Sequence, residues 1–231
     1  MRRTHTGLVP EALVEPVTMT PAQRGIVAMA VAVLLDYPDD SWEDRRAAVA
    51  GQIAALPATP RELMAGFLRA TAAESLLAAQ ARYVETFDQR RRCSLFLSYY
   101  AVGDTRQRGA ALLAFKDYLA DLGLDLAREE LPDHLCVVLE AAALEPSAFE
   151  LLAAHRDGIE VLRSALEAVA SPYAGLISAL CTALPPIDED TAQRYLELIR
   201  TGPPAEMVGL GQPTALPFPN IHTNRAEVTA S

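Results

Sequence analysis

Two acids and an imidazole fall close together in the stretch Leu131-Pro132-Asp133-His134-Leu135, with Glu140 seven residues beyond Asp133. On a helix started by Pro132, Asp133 and Glu140 share one face, two turns apart. These are metal-ligand types, yet at ~1.5 Å of rise per residue the two carboxylates stand about ten ångströms apart along the axis. One ion cannot join them without ligands from a third element. A carboxylate pair so spread suits the gripping of basic side chains on a helical or extended peptide, with His134 beside it. The plain alternative is N-terminal capping by Asp133.

A second candidate is Gly103-Asp104-Thr105-Arg106-Gln107-Arg108-Gly109, a glycine-bounded basic segment at a helix start. Arg106 and Arg108 are placed to contact an anion or a partner there. Alternatively Gly103 makes a turn, Asp104 caps, and the arginines pair with acids such as Glu85 or Asp88. Arg90-Arg91-Arg92 reads as a solvated loop between helices, or as a contact for a cofactor phosphate or an acidic partner. Cys93, Cys136 and Cys181 are far apart and form no CxxC pair, which fits ordinary buried thiols of a reducing compartment better than a zinc site. No Walker loop, GxGxxG or HExxH occurs. The residues therefore predict no catalytic group, no metal and no cofactor, and a protein that works by binding another polypeptide.

The elements that must position these residues read as helices. Apolar residues make up 51 % of the chain and are mostly Ala and Leu, both strong helix formers. Thr20-Pro21 caps a helix whose Ile26, Met29, Val33 and Leu34 point to nearly all sides, so it belongs deep in the core. Pro38 ends it, and Ser41 with Asp44 resembles a capping box for a helix to about Leu56. Thr59-Pro60 repeats the cap-plus-proline signal. Leu76, Ala79, Tyr83 and Phe87 form one apolar stripe. Asp104 is placed to cap a helix bearing Leu112, Phe115, Leu119 and Leu122, stopped by Gly123. Pro132 is expected to start a helix with Leu135, Val138, Leu139 and Ala142 on one face. Two or three helices cover roughly 147–184, and a last one runs from about Glu189 to Arg200. The expected fold is all-α: a single irregular bundle of about 8–10 helices over residues 20–202. Residues 1–19 read as a loose arm. Residues 203–231, with five prolines, read as a disordered or surface-laid tail.

The formal charge of -10 disfavours nucleic acid and favours a basic peptide, although it also serves solubility alone. Arg2-Arg3 mimics a twin-arginine signal, but the apolar run Ile26 to Leu35 begins more than twenty residues later and is too short to span a bilayer. A buried helix, no membrane insertion and a cytoplasmic location are expected.

Five segments occur in order: Tyr83-Val84-Glu85-Thr86-Phe87-Asp88, Ser94-Leu95-Phe96-Leu97, the Gly103–Gly109 segment, Leu131-Pro132-Asp133-His134-Leu135, and Leu139-Glu140. With Leu34-Leu35-Asp36-Tyr37-Pro38-Asp39 near the start, the set resembles the NarJ-type nitrate reductase assembly chaperones, the delta subunit, over roughly residues 24–200. The resemblance implies an all-α fold shared with the TorD and DmsD maturation proteins. It implies a cytoplasmic chaperone, without catalytic residues, for the molybdenum-containing catalytic subunit of a membrane-bound respiratory nitrate reductase. Such a chaperone binds the N-terminal segment of the unfinished subunit and holds it for molybdenum cofactor insertion, an unfolded-protein-binding role in nitrate metabolism. Carried over residue by residue, Tyr83, Phe87, Asp133 and His134 are expected client contacts. A groove lined by Tyr83, Phe87, Leu95 and Tyr99, with Asp133 and Glu140 as acids near it, would receive a basic and apolar client. A monomer or weak dimer is expected. The competing readings are a pterin-phosphate carrier or enzyme using Arg106, Arg108 and His134, and a structural subunit that stays in the reductase. The proline-rich tail carries no motif of the family.

Overall fold

The computed structural model describes residues 13–125, 130–186 and 188–201. Eleven α-helices follow one another among the described residues: α1 (Pro21–Leu35), α2 (Trp42–Gln52), α3 (Ala58–Ala70), α4 (Leu76–Tyr83), α5 (Leu97–Val102), α6 (Arg108–Asp121), α7 (Leu135–Leu144), α8 (Phe149–Ala154), α9 (Arg156–Ala168), α10 (Tyr173–Ala183) and α11 (Glu189–Thr201). The all-α expectation holds, with slightly more helices than the sequence pattern resolves. Short elements such as α5 and α8 are only six residues each and carry too few turns to print a periodicity.

Thr20 opens α1 with a reciprocal cap. Its hydroxyl accepts from the Gln23 amide at 3.2 Å, and its own amide donates to the Gln23 side chain at 3.0 Å. Val27, Ala28, Val31, Ala32, Leu34 and Leu35 of α1 are fully buried. They are enclosed by α7 and α10, with α2 alongside, so α1 is the axis around which the bundle is built. Helix α9 crosses α5 closely enough to need Gly158, where a Cβ would stand 2.8 Å from the Tyr100 Cβ.

Three expected helix starts are corrected. Ser41 makes no side-chain cap. Instead its hydroxyl and amide both donate to the Asp39 carboxylate, at 2.6 and 2.9 Å, which organises the turn before α2. Asp104 does not cap either: α6 begins four residues later, and Asp104 is drawn into an ion pair with Arg108. Gly103, at φ +62°, ends α5 in a conformation that only glycine adopts freely. Pro132 likewise does not start α7; His134 precedes its first residue, and the residues before it are extended.

Helix α9 holds a buried charge cluster. The Glu160 carboxylate, fully buried, accepts from Arg156 Nε at 3.0 Å and Nη2 at 2.7 Å, and from Arg163 Nε at 2.6 Å. Arg156 also donates to the backbone oxygens of Cys181 at 2.8 Å and Val14 at 3.4 Å. With the Val17 amide donating to Thr182 at 2.8 Å, this fastens the chain before α1 across the end of α10. The expected arm thus divides. Leu13, Val14 and Met19 pack against the core, whereas residues 1–12 lie outside the described residues, as does the expected tail at 203–231. Cys93, Cys136 and Cys181 are buried free thiols.

Removing one partner from a buried ion cluster strands the others, so Glu160→Ala should lower stability to urea by about 3–5 kcal/mol. A loss below about 1 kcal/mol would show that water reaches the guanidiniums. His155, between α8 and α9, supplies a pH test. Burial pushes its imidazole below the ordinary value of 6.5, only partly opposed by its bond to the Leu151 carbonyl and by Asp157 and Asp133. The unfolded chain then binds the extra proton below pH 6.5, so stability should decline as pH falls from there toward the depressed folded value. His155→Gln should flatten that decline, as read from thermal midpoints between pH 7 and 5.

Candidate functional site

Helix α4 does not stop at Tyr83. It continues through a π turn, Val84–Asp88, closed by the Gln89 amide donating to the Val84 carbonyl at 3.0 Å. The wide turn keeps Tyr83 and Phe87 in contact, ring centroids 4.9 Å apart, and Phe87 rests on Tyr173 at 4.7 Å. The chain then makes a 3-10 turn at Arg91–Cys93, whose carbonyl exits at Arg92 and Ser94 accept from the Tyr100 hydroxyl at 3.3 and 2.8 Å. Next, Leu95–Leu97 lies antiparallel to Asp133–Leu135. The Leu97 amide donates to Asp133 O at 2.9 Å, and the Leu135 amide donates to Leu95 O at 2.7 Å.

These segments wall a cavity of about 550 Å³. Of the residues expected to form a site, Tyr83, Phe87, Leu95, Tyr99, His134 and Arg108 all line it. The π turn, the extended pair and the start of α6 therefore converge as the ordered motifs suggested.

The expected carboxylates do not join them. Asp133 is fully buried, and its Oδ2 accepts from Ser98 Oγ at 2.5 Å. Its Oδ1 has no hydrogen-bond partner among the described residues. Glu140 is half-buried on α7, away from the cavity, and Arg106 is exposed outside it. The acids at the cavity are instead Asp88, Asp104 and Glu130. The reason lies in alternation along extended chain: neighbouring residues face opposite ways, so His134 reaches the cavity while Asp133 goes into the core.

The two ends of the cavity differ in charge. At the Tyr99 end, Asp104 pairs with Arg108 at 3.0 Å and lies 3.9 Å from Arg91. The Arg108 guanidinium stacks 5.1 Å from the Phe96 ring, which meets the His134 ring edge-on at 5.2 Å. Arg90 is engaged by Glu85 at 2.6 Å, so the triple-arginine run is partly neutralised. At the other end, Tyr37 stands edge-on to Tyr83 with centroids 5.3 Å apart. Burial pushes the Tyr83 phenol far above its ordinary range, so at neutral pH it is an uncharged hydrogen-bond donor. Tyr37, Asp88, Phe96 and Glu130 were not singled out from the sequence as site residues. The only hint was Tyr37-Pro38, since a residue before proline leaves the helical region; that its ring meets one from α4 is a long-range fact.

A second cavity of about 520 Å³ lies between α1, α2 and the end of α7. Ile26, Met29, Val33, Val49 and Leu144 wall it, and no charged side chain lines it. Among the described residues, no group of His, Cys, Asp or Glu is arranged to hold a metal ion. No described helix is long and apolar enough to cross a membrane.

The nitrate reductase delta subunit family matches residues 53–179, which span all three segments that wall the first cavity. The chain is 34 % identical to the nitrate reductase molybdenum cofactor assembly chaperone NarJ of Escherichia coli K12 over 160 residues, covering 67 % of this chain and 68 % of that one. It is 36 % identical to the nitrate reductase-like protein NarX of Mycobacterium tuberculosis over 159 residues. That match covers 68 % of this chain but spans about a quarter of NarX, 24 % of its length. The crystal structure of a protein described as a redox enzyme maturation protein, from Archaeoglobus fulgidus, matches with a TM-score of 0.52 at 21 % identity. It covers 74 % of this chain and 97 % of that one, a likeness of fold.

The placement of Asp133 makes it a positioning residue for the cavity wall. A buried charge-assisted hydrogen bond is worth about 1.5–3 kcal/mol, so a double-mutant cycle of Ser98→Ala and Asp133→Asn in urea should show coupling near that size. Coupling near zero would detach Ser98 from the role.

Proposed function

Because the chain belongs to the nitrate reductase delta subunit family, we propose that it is a system-specific chaperone for assembly of a respiratory nitrate reductase. In this reading it binds the N-terminal segment of the unfinished catalytic subunit and holds it for molybdenum cofactor insertion. The observation that carries the reading is the cavity of about 550 Å³, whose aromatic and apolar wall is interleaved with carboxylates. Such a wall takes a short amphipathic segment: apolar side chains against Phe87, Leu95 and Tyr99, polar ones toward the charged rim.

The energetics suit holding rather than permanent capture. Burying about 300 Å² of apolar client surface contributes on the order of 7 kcal/mol at ~25 cal/mol per Å². Loss of rigid-body freedom and ordering of the segment offset much of that, leaving a reversible complex. The protein acts in the cytoplasm in this reading, as a monomer or weak dimer, before the reductase reaches the membrane. A catalytic role has no support from the relatives, which are named as assembly chaperones.

Affinity capture from cells grown anaerobically on nitrate tests the reading. The captured partner should be the catalytic subunit lacking its cofactor, and the free N-terminal peptide should compete for binding. Capture of pterin without the subunit would favour the cofactor-carrier reading through Arg108 and His134. Retention in the finished, active reductase would make the protein a structural subunit. Peptide affinity should also fall as salt is raised, since exposed charges are screened over roughly 8–10 Å at moderate ionic strength.

A further inference from the structure

The carboxylates of the cavity are not equivalent. Asp104 is occupied by Arg108 at 3.0 Å and neighboured by Arg91. Glu85, just outside, is occupied by Arg90 at 2.6 Å. Asp88 is exposed, lines the cavity, and forms no ion pair with any described residue. Its charge reaches the Tyr83 phenol, whereas the Tyr99 phenol at the other end feels Asp104, Arg91 and Arg92. A free negative charge therefore sits at the aromatic end of the cavity, and the protein's own cations sit at the opposite end.

Tyr37 completes that end. Its ring is 46 % exposed although it touches Tyr83, so an aromatic surface faces solvent beside Asp88. The backbone beneath it is held: Arg45 donates to the Tyr37 carbonyl at 2.8 Å while pairing with Asp36 at 3.3 Å. The Tyr37 carbonyl bond and the following Pro38 fix the main chain, so the ring is presented at little entropic cost. Aromatic rings beside an unpaired carboxylate satisfy the two demands of a cationic side chain, a π face and a counter-charge. The chain already uses that arrangement internally, with the Arg82 guanidinium 4.9 Å from the Tyr173 ring centroid and paired with Glu74 at 2.9 Å.

We infer that Asp88, Tyr37 and Tyr83 form a receptor for one lysine or arginine side chain of the bound peptide, and so select clients by a positive charge at one position. The inference rests on the client-binding reading above, and assigns the selecting charge to Asp88 rather than to Asp133 or Glu140.

Calorimetric titration with two synthetic peptides tests it. One is the N-terminal segment of the nitrate reductase catalytic subunit from the same organism. The other is that segment with lysines replaced by norleucine and arginines by citrulline. The unaltered protein should bind the charged peptide about tenfold more tightly than the neutral one. Asp88→Asn should erase that preference, weakening the charged peptide about tenfold while leaving the neutral peptide as before. Tyr37→Leu should reduce the preference by a smaller factor. Circular dichroism should show an unchanged fold, because Asp88 and Tyr37 are both exposed. Equal affinity for both peptides, equal weakening of both by Asp88→Asn, or a preference that survives Asp88→Asn would each overturn the inference and leave client binding standing. Failure of the unaltered protein to bind either peptide would overturn the client-binding reading, and the inference with it.

Discussion

In a protein of helices, Leu95–Leu97 and Asp133–Leu135 are a place where extended chain meets extended chain, and much depends on that meeting. A helix satisfies its own backbone groups; extended residues cannot, and burying them unpaired would cost more than any local gain. The two segments solve this by bonding to each other, at 2.9 and 2.7 Å. The pairing also sorts side chains. Leu97, Asp133 and Leu135 turn into the core, while Phe96 and His134 face one another across the ladder at the cavity. One register step would exchange these sets, filling the cavity with aliphatic side chains and pushing Phe96 and His134 inward. The Ser98–Asp133 hydrogen bond reinforces the register from beneath.

Much of the scaffold could be read from residue types because its signals are local. Thr20-Pro21 with Gln23 contains the whole of the α1 cap, and the apolar character of Ile26 to Leu35 leaves that helix nowhere to go except the centre. Ser41 and Asp104 misled for a related reason. Each is a good cap by type, but a carboxylate can also be claimed from farther away, Asp39 by Ser41 and Arg45, Asp104 by Arg108. The aromatic stripe of Tyr83 and Phe87 and the ordered motifs around Leu95, Tyr99, His134 and Arg108 located the cavity wall. The assignment of Asp133 and Glu140 failed because it assumed helix geometry through a segment that is extended. Tyr37 and Asp88 needed the fold: their significance is that they meet the same ring, which no spacing along the chain announces.

Charge is handled differently inside and outside. Within α9, Glu160 between Arg156 and Arg163 is a cluster whose attraction mainly offsets the cost of removing three ions from water. Its contribution is positional, since Arg156 reaches both the end of α10 and the segment before α1. At the cavity, pairing is left incomplete, with Asp104 balanced and Asp88 not. A surface that carries -10 overall can repel itself modestly and still keep one carboxylate beside exposed aromatic carbon, ready for a partner of opposite sign.

The π turn at Val84–Asp88 sets a separate constraint on how such a chain can change over generations. A turn closed from residue i to i+5 holds one residue more than an α turn. It amounts to a one-residue insertion that the helix has accommodated by swelling instead of by shifting everything after it. Losing one codon there would heal the helix, but it would rotate Asp88 and all that follows by about 100° relative to Tyr83. Point substitutions in the wall can therefore drift with the partner's sequence, whereas the length of this stretch is pinned. Insertions and deletions among descendants should collect in the loops on either side of the turn and spare the turn itself.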